Sequence, residues 1–262
     1  MRYLAGLLIA LALVGSACTS SGGERVVVAA GTTVVDSGLV EYLVDAYVDD
    51  GGIGDIDVIA LSSQQSLAYA SAGNADIAIT HDEELLIGFL TETPEAVSSP
   101  VFSSRFVYVA APDLSFALPT VESILETVDA QGFTFVSRDD GSGTYLREVA
   151  MWEAVGIDPT DEPWYIRTGT GMGDTLLVAD QRNGVTLAEV GAFLAADEAL
   201  SLVRADDGSD LRLVNPYDIT VVDPSGNEAA VEFFAWLTSE PGRAAITAAN
   251  DDLFGAEVYR LP

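Results

Sequence analysis

The chain alternates β-prone runs, short polar loops and helical runs, and this alternation restricts it to few folds. Residues 25–30 lead into a Gly-Thr-Thr loop at residues 31–33, and residues 56–61 lead into the polar loop Ser62–Gln65. A third β-prone run, residues 76–80, precedes an acidic helix start. Alternating β and α elements predict an α/β fold with a mostly parallel sheet. Such sheets bind ligands at the carboxyl ends of their strands.

The loop Val136–Thr144 carries a dense set of features that suit an anion. Residues 133–136 form the β-prone run before it, and a helical run from Tyr145 to about Val155 follows. Glycines and small hydroxyl residues at such a junction let backbone N–H groups converge where the helix dipole is positive. Arg138 adds a planar guanidinium that can hold two oxygen atoms at once. An ordinary Gly/Ser loop before a capped helix would look the same locally, and the other polar loops are what favour an oxyanion site.

A fourth loop, Thr168–Asp174, reads Thr-Gly-Thr-Gly-Met-Gly-Asp and opens another helical run. It is not a dinucleotide fingerprint, because the third glycine of that motif would fall on Asp174. A serine hydrolase is also disfavoured. Ser142 lies directly between glycines, whereas the nucleophile elbow needs Gly-x-Ser-x-Gly, and His81 is the only histidine available as a base. The chain is therefore predicted to bind rather than to catalyse.

The composition excludes several ligands and chemistries. With 41 acidic and 11 basic residues the net charge is −30, so nucleic acid is not expected as a partner. Every basic residue is arginine, and a chain without lysine has neither a P-loop nor a Schiff base. One histidine and one cysteine cannot form a Cys/His zinc site or a disulfide. Asp/Glu metal sites stay open although no EF-hand spacing occurs, and the protein is expected to need no metal or other cofactor of its own. The acidic surface suits salt-rich surroundings, which is a hypothesis about the source.

The N-terminal residues have the pattern of an export signal and a tether. One positive charge followed by the apolar run Leu4–Val14 predicts a signal peptide over residues 1–17. The run is shorter than the roughly 20 residues of a membrane-spanning helix. Small residues before Cys18 resemble a lipoprotein processing site, which predicts a lipidated Cys18 and a flexible tether over residues 18–24. Gly15 stands where that pattern usually has leucine, so a secreted protein cleaved nearby is the alternative.

Two long β-prone segments, Arg105–Ala111 and Leu211–Thr220, are expected to carry the chain between two lobes. The first lobe is predicted to comprise residues 25–108 and 216–262, and the second lobe residues 109–215.

Six motifs, in this order, give the chain a family resemblance. They are Gly31-Thr32-Thr33 with Asp36–Leu39, Ser137-Arg138 with Ser142-Gly143-Thr144, Trp152–Pro159, Trp164-Tyr165-Ile166 with Thr168–Gly173, Asn215-Pro216-Tyr217, and Phe254-Gly255 with Tyr259–Pro262. Over about residues 25–262 they resemble the tungstate-binding receptors of ABC importers, within the periplasmic binding protein superfamily. The resemblance implies a type II fold whose two lobes, joined by two crossover strands, close on a tetrahedral dianion and deliver it to a membrane permease. It also implies a monomeric, extracytoplasmic receptor anchored to the membrane by its N-terminal lipid.

The resemblance further implies which residues bind the ligand. From the first lobe these would be Thr32, Thr33 and Ser63. From the second lobe they would be Arg138, Ser142, Gly143 and Thr144, together with Thr170, Gly171 and Met172 through their backbone N–H groups. Arg138 would be the one formal positive charge at the anion.

Some residues depart from the tungstate pattern. Asp139-Asp140-Gly141 stands where that family has Gly-Asp-Asp/Asn, Tyr145 replaces a histidine, and Ser62–Gln65 replaces Gly-Thr-Gly-Gln. The run from Arg138 to Thr144 is also similar to the loop of phosphate-binding receptors. Phosphate is therefore the main alternative ligand, ahead of molybdate and sulfate. An alternative of a different class is a sensory or scaffold lipoprotein without a transport role.

Protonation separates these ligands. Near neutral pH phosphate keeps a proton, whereas tungstate, molybdate and sulfate are fully deprotonated. A carboxylate facing the ligand can accept the phosphate proton but repels an unprotonated dianion. Asp36, Asp82, Asp139 and Asp140 would therefore decide the choice if they face the site, and the alternative is that they cap helices.

Overall fold

The computed structural model describes residues 25–196 and 199–262. The predicted signal peptide, residues 1–17, and the predicted lipidation site Cys18 with its tether lie outside the described residues. Within the described part of the chain, no helix is both long enough and apolar enough to cross a membrane.

The first lobe is built on three parallel strands with helices between them. Its first elements are β1 Val26–Gly31, α1 Thr32–Asp36, α2 Leu39–Asp49, β2 Ile56–Leu61, α3 Ser63–Ser71, β3 Ile77–Thr80 and α4 Glu83–Glu92. β1 lies between β2 and β3 and runs parallel to both. Helix α2 buries Leu39, Leu43 and Tyr47 on one face, as its apolar period predicts.

The second lobe repeats this arrangement. The strand β4 Val97–Ala110 enters it, and its elements are α5 Val121–Gln131, β5 Phe135–Ser137, α6 Gly143–Ala154, β6 Tyr165–Arg167, α7 Met172–Gln181, β7 Val185–Glu189, α8 Val190–Ala196, β8 Val203–Arg204 and the 3-10 turn Leu211–Leu213. β5 runs parallel to both β6 and β7. The chain then returns through β9 Val214–Val221, α9 Glu228–Thr238, α10 Glu240–Ala249 and the π turn Asn250–Phe254.

One sheet joins the two lobes, with the strand order β2-β1-β3-β9-β4-β7-β5-β6 and β8 beside β4. β4 pairs with β9 from Val97 to Arg105, and then with β7 from Phe106 to Ala110. The predicted lobe boundaries, after residue 108 and before residue 216, fall within β4 and β9. The prediction of a mostly parallel sheet is wrong at this centre, where β3–β9, β9–β4 and β4–β7 are antiparallel. β4 carries the chain into the second lobe and β9 carries it back, so these two neighbouring strands run in opposite directions.

Helix α3 begins three residues before its apolar pattern predicts, at Ser63 rather than Ser66. The Gln65 N–H donates to the Ser62 hydroxyl oxygen at 3.3 Å, and the Ser62 N–H donates to the Gln65 side-chain oxygen at 3.1 Å. This capping box satisfies helix-end N–H groups with polar residues. Because those residues carry no apolar signal, periodicity alone starts the helix too late.

Each lobe has its own apolar core. In the first lobe, Phe102, Tyr217 and Phe233 are buried against β1, β3 and α2. In the second lobe, Trp152 of α6 and Trp164 lie in one buried cluster with the apolar face of α5, so both tryptophans pack the lobe. The two cores hold the loops at the strand ends at fixed positions on either side of the crossover strands.

Candidate anion-binding site

The loop between β5 and α6 turns back through two residues in the left-handed region. Asp139 has a φ of 45° and Gly141 a φ of 69°, and aspartate is one of the few side chains that tolerate this conformation. Ser142 then caps α6, its hydroxyl oxygen accepting from the Tyr145 N–H at 3.4 Å. The helix begins at Gly143 rather than at Tyr145, again because polar capping residues lack an apolar period. The loop therefore ends at a helix N-terminus, where N–H groups have no intrahelical acceptor.

Arg138 is the most enclosed charge of this loop, with 2% of its surface exposed. Its Nε and Nη2 donate to Oδ2 of Asp140 at 3.1 and 2.5 Å, and Nη2 also donates to the Thr32 hydroxyl at 3.2 Å. The other carboxylate oxygen, Asp140 Oδ1, accepts from the Ser142 N–H at 3.1 Å. Nη1 is buried and has no hydrogen-bond partner among residues 25–196 and 199–262. Nε and Nη2 of the guanidinium are therefore held by Asp140 and Thr32, and Nη1 is left to donate a hydrogen bond to a ligand.

The contact between Arg138 and Thr32 joins the two lobes, because Thr32 is the first residue of α1. Its neighbour Thr33 is 1% exposed, and the Thr33 hydroxyl lies 3.0 Å from that of Tyr217 on β9. Helix α1 also contacts α7 of the other lobe. Both predicted threonines of the first lobe thus lie where the lobes meet.

His81 makes a second contact between the lobes. Its ring packs on Gly143, where an added Cβ would lie 2.3 Å from the ring atom Cε1. Its Nδ1 lies 2.9 Å from Oδ1 of Asn215, and burial lowers the pKa of His81 to about 4, although that hydrogen bond acts in the opposite direction. The charge of Arg138 also lowers this pKa. A neutral imidazole therefore lies against the start of α6.

Two other predicted hydroxyl residues are almost fully buried. Ser63 is 1% exposed, and its hydroxyl oxygen accepts from the His81 N–H at 3.3 Å, which ties the start of α3 to the loop after β3. Thr144 is also 1% exposed, and its hydroxyl has no hydrogen-bond partner in the described part of the chain.

The loop before α7 is fastened beside Arg138. The Gly169 N–H donates to the Arg138 carbonyl oxygen at 2.8 Å, and the Thr170 hydroxyl is buried without a hydrogen-bond partner among the described residues. Gly171 is the N-cap of α7, and the side chain of Met172 is buried in the apolar core. Only the main chain of Met172 is therefore free to meet a ligand. We call Arg138 together with the starts of α1, α6 and α7 the cradle.

Three of the four aspartates that bear on ligand choice have structural partners. Asp82 caps α4, with its Oδ1 accepting from the Leu85 N–H at 3.0 Å. Asp139 lies 3.9 Å from the Arg167 side chain, on the outside of the loop. Asp140 has both oxygens engaged by its own loop, as described above. For Asp82 this confirms the capping alternative.

Asp36, at the end of α1, differs from these three. Burial raises its pKa, the charge of Arg138 lowers it, and Asp174 raises it again. Asp36 is therefore close enough to Arg138 for that charge to act on it. It is the aspartate through which a ligand proton could still be accepted.

Sequence reasoning placed Asn215 and Tyr217 in a crossover strand and in a family motif, but gave them no role at the site. Both are at most 1% exposed, and Nδ2 of Asn215 donates to the Tyr217 hydroxyl oxygen at 2.9 Å. Residues two apart on a strand share one face, so the motif Asn-Pro-Tyr could have indicated two polar groups on the same side. Their partners could not be predicted, because Thr33 and His81 are more than 130 residues away.

Two buried glutamates lie beside the cradle. Glu148 on α6 accepts from the Tyr165 hydroxyl at 2.6 Å, and Glu189 at the end of β7 accepts from the Ala192 N–H at 2.9 Å. Burial raises the pKa of each glutamate to about 7. Within the described residues, no group of three His, Cys, Asp or Glu side chains is placed to hold a metal ion.

Comparison with known proteins decides the family. The model of the PBP superfamily domain matches residues 18–241. The chain belongs to this superfamily. A relative in Peptoclostridium acidaminophilum is the tungstate-binding protein TupA. The two sequences are 31% identical, and the aligned region covers 97% of this chain and 94% of the relative.

Two solved structures extend the likeness to three dimensions. The tungstate ABC transporter from Geobacter sulfurreducens has a TM-score of 0.76 and 29% identity, covering 86% of this chain and 98% of that one. The tungstate-binding protein TupA from Desulfovibrio alaskensis has a TM-score of 0.74 and 25% identity, covering 91% and 99%. These comparisons confirm the two-lobed α/β fold, and the relatives are named for binding and transport rather than for catalysis.

Proposed function

We propose that this chain is the extracytoplasmic receptor of an ABC importer and captures a tetrahedral oxyanion, tungstate in the first place, between its lobes. The observation that carries the proposal is the buried Nη1 of Arg138, which has no hydrogen-bond partner among the described residues. Arg138 itself contacts the start of α1 and is bonded to the loops that precede α6 and α7. A buried cationic nitrogen at helix N-termini is matched by an anion with several acceptor oxygens. The names of the relatives point to tungstate.

The ligand contacts follow from this arrangement. Nη1 of Arg138 supplies the charged hydrogen bond, and the buried hydroxyls of Thr144 and Thr170 supply neutral ones. Ser142, Gly143, Gly171 and Met172 offer backbone N–H groups at the starts of α6 and α7, and Thr32, Thr33 and Ser63 complete the cradle from the first lobe. A set of donors without a facing acceptor suits a dianion that carries no proton.

The alternative ligand is hydrogen phosphate, which the Arg-x-Asp-Gly-Ser-Gly-Thr loop also favours. Its proton would need an acceptor. Both oxygens of Asp140 already accept hydrogen bonds from Arg138 and Ser142, which argues against that carboxylate as the acceptor. Asp36 is the remaining one, and phosphate binding would require it to turn toward the ligand.

Capture requires the lobes to move apart and close again about β4 and β9, with lobe boundaries near residues 108 and 216. Arg138–Thr32 and His81–Gly143 are the contacts that closure makes. The receptor works as a monomer, is attached to the outer face of a membrane through a lipid on Cys18 after removal of residues 1–17, and passes its ligand to a permease.

Calorimetric titration of the chain from about residue 22 onward, with tungstate, molybdate, sulfate and phosphate, tests the proposal. We expect tungstate to bind tightest and phosphate weakly. Arg138→Ala should weaken tungstate binding at least tenfold, which corresponds to about 1.4 kcal/mol. Arg182→Ala is the matched control, because it makes the same change in net charge at an exposed position directly after α7. A heat of binding with phosphate alone would identify phosphate as the ligand. No heat of binding with any of the four anions would contradict the proposal of an oxyanion receptor.

A further inference from the structure

Four side chains form an unbroken row of hydrogen bonds from β3 to the cradle. Nδ1 of His81 lies 2.9 Å from Oδ1 of Asn215, Nδ2 of Asn215 donates to the Tyr217 hydroxyl oxygen at 2.9 Å, and that hydroxyl lies 3.0 Å from the Thr33 hydroxyl. Asn215, Tyr217 and Thr33 are each at most 1% exposed. We call this row the relay.

The amide of Asn215 fixes the direction of the two bonds that it makes. Its Oδ1 can only accept, so Nδ1 of His81 carries a proton and donates it. Its Nδ2 can only donate, so the Tyr217 oxygen accepts there. The Tyr217 hydroxyl has Thr33 and Ser104 as its other hydroxyl neighbours, and we assign its proton to Thr33, at 3.0 Å. The Thr33 oxygen then accepts, and its own proton must point away from Tyr217.

We propose that the relay makes Thr33 an obligatory hydrogen-bond donor toward the cradle, and that His81, Asn215 and Tyr217 are positioning residues for oxyanion binding. The relay has this consequence only if an oxyanion occupies the cradle, as proposed above. A threonine hydroxyl ordinarily rotates and can donate or accept. Here Tyr217 occupies one acceptor lone pair of the Thr33 oxygen and turns the Thr33 proton away from itself.

The surroundings hold the members of the relay in place. The ring of His81 lies against Tyr217, with 5.0 Å between the ring centres, and Tyr217 lies 4.9 Å from Phe102 in the same way. Gly143 packs on one edge of the imidazole, and Gly31 lies near another. Burial keeps the imidazole neutral at pH 7, as its lowered pKa of about 4 indicates, so it has one ring proton, and the Asn215 oxygen requires that proton on Nδ1.

A fixed donor at Thr33 adds a neutral hydrogen bond to the anion. All four oxygens of a fully deprotonated tetrahedral dianion can accept from Thr33, and so can the unprotonated oxygens of hydrogen phosphate. The relay therefore contributes to the affinity for tetrahedral oxyanions as a class.

A double-mutant cycle measures whether Tyr217 acts through Thr33. Calorimetry with tungstate would compare wild type, Thr33→Val, Tyr217→Phe and the double variant. We expect each single change to raise Kd about tenfold, and Tyr217→Phe to change Kd less than twofold once Thr33 is valine. Multiplicative effects of the two changes would overturn the relay.

The matched control is Tyr259→Phe. Tyr259 is another buried tyrosine of the first lobe, and its hydroxyl donates to Ser37 at the C-terminal end of α1 at 2.8 Å. Its removal should leave Kd within twofold. Wild type that binds no oxyanion would refute the proposed function, whereas wild type that binds tungstate with multiplicative single effects would refute the relay alone.

The unmodified protein offers an independent test. Because His81 is the only histidine of the chain, its ring nitrogens can be observed directly in a 15N-labelled sample. The relay predicts that near pH 7 the proton is on Nδ1 and that Nε2 is unprotonated. A proton on Nε2 would reverse the direction of every hydrogen bond in the row, make Thr33 donate to Tyr217, and overturn the proposal even if a variant failed to fold.

Discussion

The imidazole of His81 and the backbone of Gly143 touch across the junction of the lobes: a Cβ at Gly143 would lie 2.3 Å from Cε1 of the ring and 2.9 Å from Nδ1. Real Cβ atoms do not approach so closely, so alanine at residue 143 would displace the ring or hold the lobes apart. Closure and the hydrogen bond of His81 to Asn215 both depend on this contact.

Gly143→Ala is therefore expected to weaken tungstate binding at least tenfold while leaving each lobe folded, since alanine suits a helix better than glycine. Calorimetry gives the affinity, and small-angle scattering reports whether the ligand still compacts the protein. Gly88→Ala is the control, because in the described structure a Cβ at that exposed position on α4 has nothing within 4 Å. Unchanged affinity in Gly143→Ala would contradict close packing of the lobes at this point.

Arg138→Lys separates charge from geometry. Lysine keeps the positive charge, but it cannot donate to Asp140 through two nitrogens, reach Thr32 and still direct another nitrogen at the ligand, as the guanidinium does. We expect at least a tenfold rise in the Kd for tungstate, about 1.4 kcal/mol, close to the effect of alanine. If lysine restored wild-type affinity, charge alone would hold the anion and the fork geometry would be irrelevant.

The single histidine should stay neutral well below its usual pKa. With a pKa of about 4, no more than about a tenth of His81 is protonated at pH 5, so its Cε1–H resonance should hardly move between pH 8 and pH 5. The folded state then binds fewer protons than the unfolded state, and this group's contribution to stability is lost as pH falls from about 6.5 toward 4. A titration midpoint near 6.5 would show that the ring is not desolvated.

Glu189 changes the pH dependence of stability in the direction opposite to His81. Its folded pKa of about 7 lies above the usual glutamate value of 4.5, so its contribution to stability is present below pH 4.5 and lost as pH rises through 7. Relative to wild type, Glu189→Gln should gain roughly 2 kcal/mol between pH 5 and pH 8 in urea unfolding. Glu41→Gln, on the exposed side of α2, should show no such gain. Parallel curves for wild type and Glu189→Gln would mean that the carboxyl group is not buried.

The sequence was sufficient for those parts of the cradle that follow directly from a strand end. Thr32, Arg138 and Ser142 stand at strand-to-helix junctions, and the glycines and hydroxyls there indicate the junction without knowledge of the fold. Whether they would meet depended on β4 and β9, whose antiparallel pairing sets the lobes face to face.

The relay could not be predicted from the sequence, for a different reason. Tyr217 is separated from Thr33 by 184 residues and His81 from Asn215 by 134, and no local pattern encodes such pairs. The sequence could not decide between capping and ligand contact for the aspartates either, because both roles use the same residues at the same helix starts. For Asp140, only the direction of its side chain toward Arg138 separates a structural role from ligand contact.

Anomalous scattering from tungsten tests the central claim most directly. Crystals grown with tungstate and measured at a tungsten absorption edge should give one strong peak between the lobes, within about 4 Å of Nη1 of Arg138 and beside Thr33 and the start of α6. A peak only at the outer cavity between Arg105, Arg204 and Arg260 would contradict the cradle, as would tight tungstate binding in solution with no peak near Arg138.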